Sequence, residues 1–357
     1  MDYRTARFYF VVAILLISFV IMAVGCGPQP QPQSSGSAES SALSGQALID
    51  AAKKEGQLNW YTMIQRDTAE EMARRFKETY GIDVEIVRET SAKVLQKFEL
   101  EAKSGQVNAD VMMASDLDAV IGFQEAGYLA PSQSPNGMRQ ATPQFRDEDG
   151  HWYTFYNLVY LMAYNSKLVP DAEAPKSWKD LADPQYKDKL VIAGLFPSGA
   201  PFVVLVEWYK LFGEEWLSAV AANNPMLVEG HAQMNTVVSA GERGIMAENA
   251  IHLIRQAEEA GVKPVWPTEG PMLFPVAVTK AKGAPHSAAA DLFIDWVLSP
   301  EIQAWFTENY PSASAFPDIP LLYDIPPIDK AIVPDLGYVN SNRDKVWDIW
   351  KTKMNLK

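Results

Sequence analysis

Ser198-Gly199-Ala200 stands directly ahead of a long apolar run. A helix starting there leaves unpaired N–H groups and a partial positive charge aimed at whatever lies in front of it. Gly199 lets a ligand approach the backbone closely and Ser198 adds a hydroxyl, so the triplet reads as an anion cradle; a plain N-cap at Ser198 is the other reading. Thr62 and Arg66 follow one apolar strand-like run, Ser115 and Asp116 follow another, and Ser91 opens a helix after a third. Arg66 suits a bidentate contact with a carboxylate or phosphate, or a solvated place in a first turn; Ser91 could add backbone donors or simply cap. Bond-making chemistry has less support. The chain has no Gly-x-Ser-x-Gly elbow, phosphate-loop lysine motif or dinucleotide fingerprint. Its four histidines, at 151, 231, 252 and 286, lack a His-Glu-x-x-His spacing and read as surface or turn residues. Carboxylates are abundant, but abundance does not mark a glycosidase pair. Trp60, Trp152 and Trp266 lie near the edges of the expected cleft and could stack on a ligand, or belong to the core.

The single cysteine, Cys26, closes the run Ala23-Val24-Gly25-Cys26. Arg4 and Arg7 supply a positive start, and Phe8 to Val24 is apolar except for Ser18, which is the layout of a secretory signal. Small residues just before the cysteine resemble a bacterial lipobox, which implies cleavage before Cys26, acylation of its sulfur and a lipid anchor outside the cytoplasmic membrane. An uncleaved membrane anchor is the rival reading, since the run is close to the shortest spanning helix. Residues 27–44, with Pro28, Pro30, Pro32 and several serines, bury too little to fold and read as a flexible stalk.

The chain of 357 residues carries a net charge of −13. An acidic body disfavours nucleic acid and anionic membrane as partners, though a local site can oppose the global sign. One cysteine permits no intramolecular disulfide and no thiolate metal cluster.

The elements that must position these residues run in a βα rhythm. Leu58–Thr62 reads as a strand, Asp67–Tyr80 as an amphipathic helix stopped by Gly81, and Ile82, Val84 and Ile86 alternate as a strand does. Val94–Lys103 is helical, Ala109–Ala114 a strand and Leu117–Glu125 a helix, which together imply a parallel sheet covered on both faces. Asp149-Gly150 marks a hairpin before the aromatic run Trp152 to Tyr156. A second α/β set follows: Leu158–Tyr164, Leu190–Ala193, Ala200–Phe212 and Glu242–Gly261, then a strand at Met272–Thr279 and helices at Ser287–Leu298 and Pro300–Asn309. The tail packs back through Val346, Trp347 and Trp350.

In this order the segments resemble the bacterial extracellular solute-binding proteins, and among them the ferric-iron-binding-like group that serves ATP-binding-cassette importers. The resemblance covers nearly the whole mature chain. It is carried by Leu58-Asn59-Trp60-Tyr61-Thr62, by Ala109-Asp110-Val111, by Tyr164-Asn165 with Ala174-Pro175-Lys176-Ser177-Trp178, by Asp183-Pro184, by Pro197-Ser198-Gly199-Ala200 and by Lys282-Gly283-Ala284-Pro285-His286. It implies an α/β, two-lobed type II clamp with two crossing strands as its hinge. Lobe 1 would take residues 45–155 and 272–320, and lobe 2 residues 156–271 and 321–357. It further implies a monomer that captures a small solute by hinge closure, needs no cofactor and docks on a membrane permease. Sites in such folds lie beyond the carboxyl ends of strands, after Thr62, Glu89, Ala114 and Ala193 and near Glu248.

The iron ligands of that group are where the chain departs. Ferric binders of this kind use adjacent tyrosines in the segment matching 241–253, which here reads Ile245-Met246-Ala247-Glu248-Asn249-Ala250-Ile251-His252. No tyrosine stands there, Ile64 and Gln65 occupy the place of a first-lobe histidine, and Tyr310 and Tyr323 are distant. Glu248 and Asn249 would instead contact ligand hydroxyls or an amine. The sequence therefore reads first as a receptor for a small anion such as a phosphate ester, phosphonate or carboxylate. A ferric receptor with a synergistic anion is second, and a surface hydrolase or lyase is the alternative class.

Overall fold

The computed structural model describes residues 44–140, 145–194, 199–316, 318–319 and 330–356. The signal, Cys26, the stalk, Ser198 and Tyr323 lie outside the described residues.

Helix α1 (Gly45–Glu55) leads into β1 (Gln57–Thr62), α2 (Arg66–Tyr80), β2 (Asp83–Arg88), α3 (Ser91–Ser104), β3 (Val111–Ala114), α4 (Leu117–Glu125) and the short β4 (Leu129–Ala130). After a hairpin come β5 (Trp152–Asn165), β6 (Leu190–Ile192), α5 (Gly199–Ala222), β7 (Met226–Leu227), α6 (His231–Ala240), β8 (Ile245–Ala250), α7 (Ile251–Gln256) and β9 (Val262–Val265). Strand β10 (Met272–Ala281), α8 (Ser287–Val297), α9 (Pro300–Asn309) and α10 (Leu336–Lys353) complete the described chain.

All ten strands join one sheet in the order β2-β1-β3-β10-β5-β8-β6-β7, with β4 on β10 and β9 on β5. Two parallel blocks, β2-β1-β3 and β8-β6-β7, flank an antiparallel centre. Strands β10 and β5 form that centre, pairing from Met272↔Tyr160 to Thr279↔Trp152 with a register shift between Val276 and Ala277. Every residue of β5 and of β10 is buried, as central strands covered on both faces must be. The aromatic run at Trp152 and the apolar run at Leu158, which read as neighbouring segments, are one continuous 14-residue strand.

The hairpin before β5 turns where Asp149-Gly150 predicts. Gly150 has φ 82°, and a Cβ there would come within 2.6 Å of the Ser132 carbonyl, so only glycine closes this turn without displacement. Helix α5 is expected to end at Phe212, and there it bends: Gly213, at φ 80° and ψ −175°, breaks the helix before it resumes to Ala222. The segment 242–261 divides into β8 and α7, because Ile245 to Ala250 is buried throughout and pairs with both β5 and β6.

Several of the motif residues hold elements together. The Asp110 carboxylate accepts from Asn59 N at 2.7 Å, from His286 N at 2.6 Å and approaches His286 Nδ1 at 2.8 Å, tying β1 and β3 to the start of α8. Glu269 accepts from Ser177 Oγ at 2.5 Å and from Trp178 N at 3.1 Å, fixing that short turn. Trp350 on α10 is fully buried and donates to the Gly194 carbonyl at 3.1 Å, which seats the C-terminal helix against the end of β6.

Candidate functional site

A cleft of about 460 Å³ opens over the centre of the sheet. Its floor comes from the two central strands: Trp152, Leu158 and Tyr160 of β5, and Phe274 and Pro275 of β10. One wall is the start of α3 with Ser91 and Leu95, together with the loop after β3 and the start of α4, where Ser115, Asp116, Leu117, Asp118 and Ile121 stand. The facing wall is the start of α5, with Gly199, Ala200 and Val203, and one face of α10. Two parallel blocks thus present strand ends and helix starts to one gap, the arrangement in which open α/β sheets bind ligands.

Four of the expected site residues meet here: Ser91, Ser115, Gly199 and Ala200 all line the cleft. Ser115 N donates to Ser91 Oγ at 3.1 Å, joining the start of α3 to the loop after β3. Gly199 has φ 69°, and among the described residues a Cβ there would meet nothing nearer than Pro201 Cδ at 3.7 Å. Asp116 caps α4, accepting from Ala119 N at 3.2 Å.

Thr62, Arg66, Glu248 and Asn249 do not line the cleft. Thr62 is fully buried, and its hydroxyl accepts from Ile64 N at 3.2 Å, so it shapes the loop after β1. Arg66 is exposed on α2 and pairs with Glu70 at 3.5 Å. Glu248 and Asn249 lie on buried β8, inside the sheet, not on a helix surface. Glu248 Oε2 sits 2.6 Å from His231 Nε2, and burial pushes its carboxyl above the usual range, with His231 pulling the other way. The Asn249 side chain is spent internally, donating to the His231 carbonyl and Asn235 Oδ1 at 3.1 Å each while Oδ1 accepts from Ala250 N at 2.8 Å. Of the tryptophans, Trp60 is core, 5.1 Å from the Phe293 ring, whereas Trp152 lines the cleft.

His151 and His286 stand in turns, but His231 and His252 are not the surface or turn residues their spacing suggests. His231 pairs with Glu248 and lies 4.9 Å from the Tyr160 ring. His252 stacks on Tyr310 at 5.6 Å, and burial lowers its pKa to about 4. Tyr310, remote in sequence, is brought to within 5.5 Å of the Tyr156 ring. Among the described residues, one cluster could hold a metal ion, Asp147 with Asp149 and His151, and none of the three lines the cleft.

Among the lining residues that escape the sequence reading are Tyr160, Asn340 and Arg343. Tyr160 is 5 % exposed, and its hydroxyl has no hydrogen-bond partner among the described residues. Burial, and after it the Glu248 charge, pushes its pKa far up, so it remains a neutral hydroxyl. Arg343 lies 5.1 Å over the Phe202 ring, which orients its guanidinium beside the start of α5. Asn340 Nδ2 donates to Asp118 Oδ1 at 2.7 Å, the contact that joins the two walls. A signal for the last two exists: Leu336, Val339, Asn340 and Arg343 follow the i, i+3, i+4, i+7 spacing of one helix face.

The family model for the bacterial extracellular solute-binding proteins matches residues 107–342. The chain belongs to that family. Solute-binding proteins of this kind are not enzymes; they capture small solutes outside the cytoplasm and deliver them to the permease of an ABC importer. Iron uptake protein A1 of Synechocystis is 24% identical over 292 residues, which is 76% of this chain and 79% of that protein. A putative 2-aminoethylphosphonate-binding periplasmic protein of Salmonella typhimurium is 26% identical over 265 residues, 71% of this chain and 73% of that one. The solved periplasmic binding protein AfuA from Actinobacillus pleuropneumoniae, with fructose-6-phosphate bound, superposes with a TM-score of 0.64 at 22% identity, covering 85% of this chain and 99% of that one. The fold is the type II periplasmic-binding-protein clamp, as the order of segments implies.

Proposed function

We propose that this solute-binding protein captures a small organic anion, a phosphonate, phosphate ester or carboxylate, and hands it to its permease after hinge closure. The observation that carries the reading is that the start of α5 at Gly199 and Arg343 both line one wall of the cleft. Amide donors at a helix start and a fixed cation are the groups that recognise an anion. The opposite wall supplies Ser91 and Ser115, hydroxyls that suit the remaining oxygens of such a head group. The relative named for 2-aminoethylphosphonate supports an anionic organic solute. Lobe boundaries near 155, 271 and 320 would make β5 and β10 the hinge.

Acylation at Cys26 would tether the protein to the outer face of the cytoplasmic membrane as a monomer, with residues 27–44 as its stalk. Metabolic labelling with a fatty acid, lost in Cys26→Ser, tests the anchor.

Thermal denaturation against a panel of anions tests the function. A ligand at a hundred times its dissociation constant adds about 2.7 kcal/mol, and the melting temperature should rise accordingly; a flat panel removes the reading. Ser198→Asp should abolish the rise through like-charge repulsion in front of α5, and retained binding would take Ser198 out of the site.

Ferric iron with a synergistic anion is the second reading, favoured by the relative named for iron uptake. The cleft supports it less. Tyr160 is the one tyrosine lining it among the described residues, and that hydroxyl resists ionisation. Ferric titration giving a visible tyrosinate charge-transfer band would reverse the order.

A further inference from the structure

We infer that the solute carries a hydrocarbon body as well as an anionic head, so that the cleft selects amphipathic organic anions over ferric ion, inorganic phosphate and polyhydroxylated phosphate esters. This rests on the anion reading above and names the class within it. The positive groups of the cleft are confined to the α5 start and Arg343; Ser91, Ser115, Asp116, Asp118, Tyr160 and Asn340 are its other polar lining residues, and the remainder is apolar. Trp152, Leu158 and Phe274 form the floor, with Ile121 on one wall and Val203 on the other. Apolar lining of this kind gains from each methylene it removes from water, and it penalises each sugar hydroxyl left against it without a partner. A hard cation needs several anionic oxygens around it. Asp116 and Asp118 are the only carboxylates lining the cleft among the described residues; one caps α4 and the other holds Asn340.

Tyr160 is a second and independent indication of a ligand. The side chain is 5 % exposed and packs beside the Phe274 ring at 4.7 Å, yet its hydroxyl makes no hydrogen bond among the described residues and is left accessible at the cleft. It is placed to donate one hydrogen bond to a head group whose body lies on the apolar floor.

Calorimetric titration of the purified protein with methyl-, ethyl-, propyl-, butyl- and phenylphosphonate, beside inorganic phosphate, 2-aminoethylphosphonate and fructose-6-phosphate, tests this. Affinity should rise about fourfold per added methylene, and the hydroxylated and inorganic members should bind most weakly. Ile121→Asn on half-exposed α4 should flatten the slope, and Val203→Asn should do the same from the other wall. Binding with no slope, or tightest binding of fructose-6-phosphate or inorganic phosphate, overturns the inference and leaves the anion reading standing. No binding by any member overturns both.

Discussion

Asn340 Nδ2 donates to Asp118 Oδ1 at 2.7 Å, and this bond joins α10 to α4 over the mouth of the cleft. The two residues are separated by 222 positions and both are exposed. If the walls part, each partner finds water readily, so the contact would form and break with closure of the proposed clamp.

Breaking it should bias the clamp towards the open form. An exposed hydrogen bond to a charged group contributes about 0.5–1 kcal/mol, so Asn340→Ala should weaken binding of any captured anion by about two- to fivefold. Small-angle scattering of the ligand-free protein should show a larger radius of gyration. An unchanged radius with weakened binding would make Asn340 a ligand contact and not a latch.

Arg343 should matter through its charge. Removing a charge-assisted bond costs about 1.5–3 kcal/mol, so Arg343→Ala should weaken anion binding at least tenfold, with Arg343→Lys in between because a point charge replaces a planar fork. The affinity that remains should depend less on salt. Calorimetry at two ionic strengths reads both effects.

Acid should destabilise the protein through His252. Its folded pKa is lowered from 6.5 to about 4 by burial, so between those values the unfolded chain binds more protons than the folded one. Stability therefore falls as pH drops from about 6.5 to about 4, by at most about 3 kcal/mol from this group. Glu248 works in the opposite sense: its raised pKa means that its contribution is lost as pH rises. His252→Phe, which keeps a ring against Tyr310, should flatten the acid limb, and comparing melting temperatures at pH 7 and pH 5 checks it. An equal drop in variant and parent would assign the limb to other groups.

Trp350 anchors α10, and with it the wall carrying Asn340 and Arg343. Trp350→Ala should cost about 3–5 kcal/mol through the cavity and the lost bond to Gly194, and Trp350→Phe distinctly less. Urea denaturation measures the difference. Loss of anion binding in the folded Trp350→Phe protein would show how strictly the helix must be seated.

Much of this molecule was legible along the chain. The period-two and period-3.6 patterns locate most strands and helices within a few residues, because burying one face of an element leaves a repeat in the sequence. Helix starts after strands mark Ser91, Ser115, Gly199 and Ala200 for the same local reason, and all four line the cleft.

What the chain order could not decide was which distant surfaces face one another. Glu248 and Asn249 read as exposed contacts until the sheet order put β8 between β5 and β6 and turned both side chains to internal partners. Tyr310 reads as remote until folding brings it to His252, and Asn340 and Arg343 read as tail until the burial of Trp350 swings α10 over the gap. Local spacing records the half of an element that is buried against its own neighbours. The cleft is made where elements from both parallel blocks converge, and that depends on long-range strand pairing and helix docking, whose energy comes from contacts that no stretch of the sequence contains by itself.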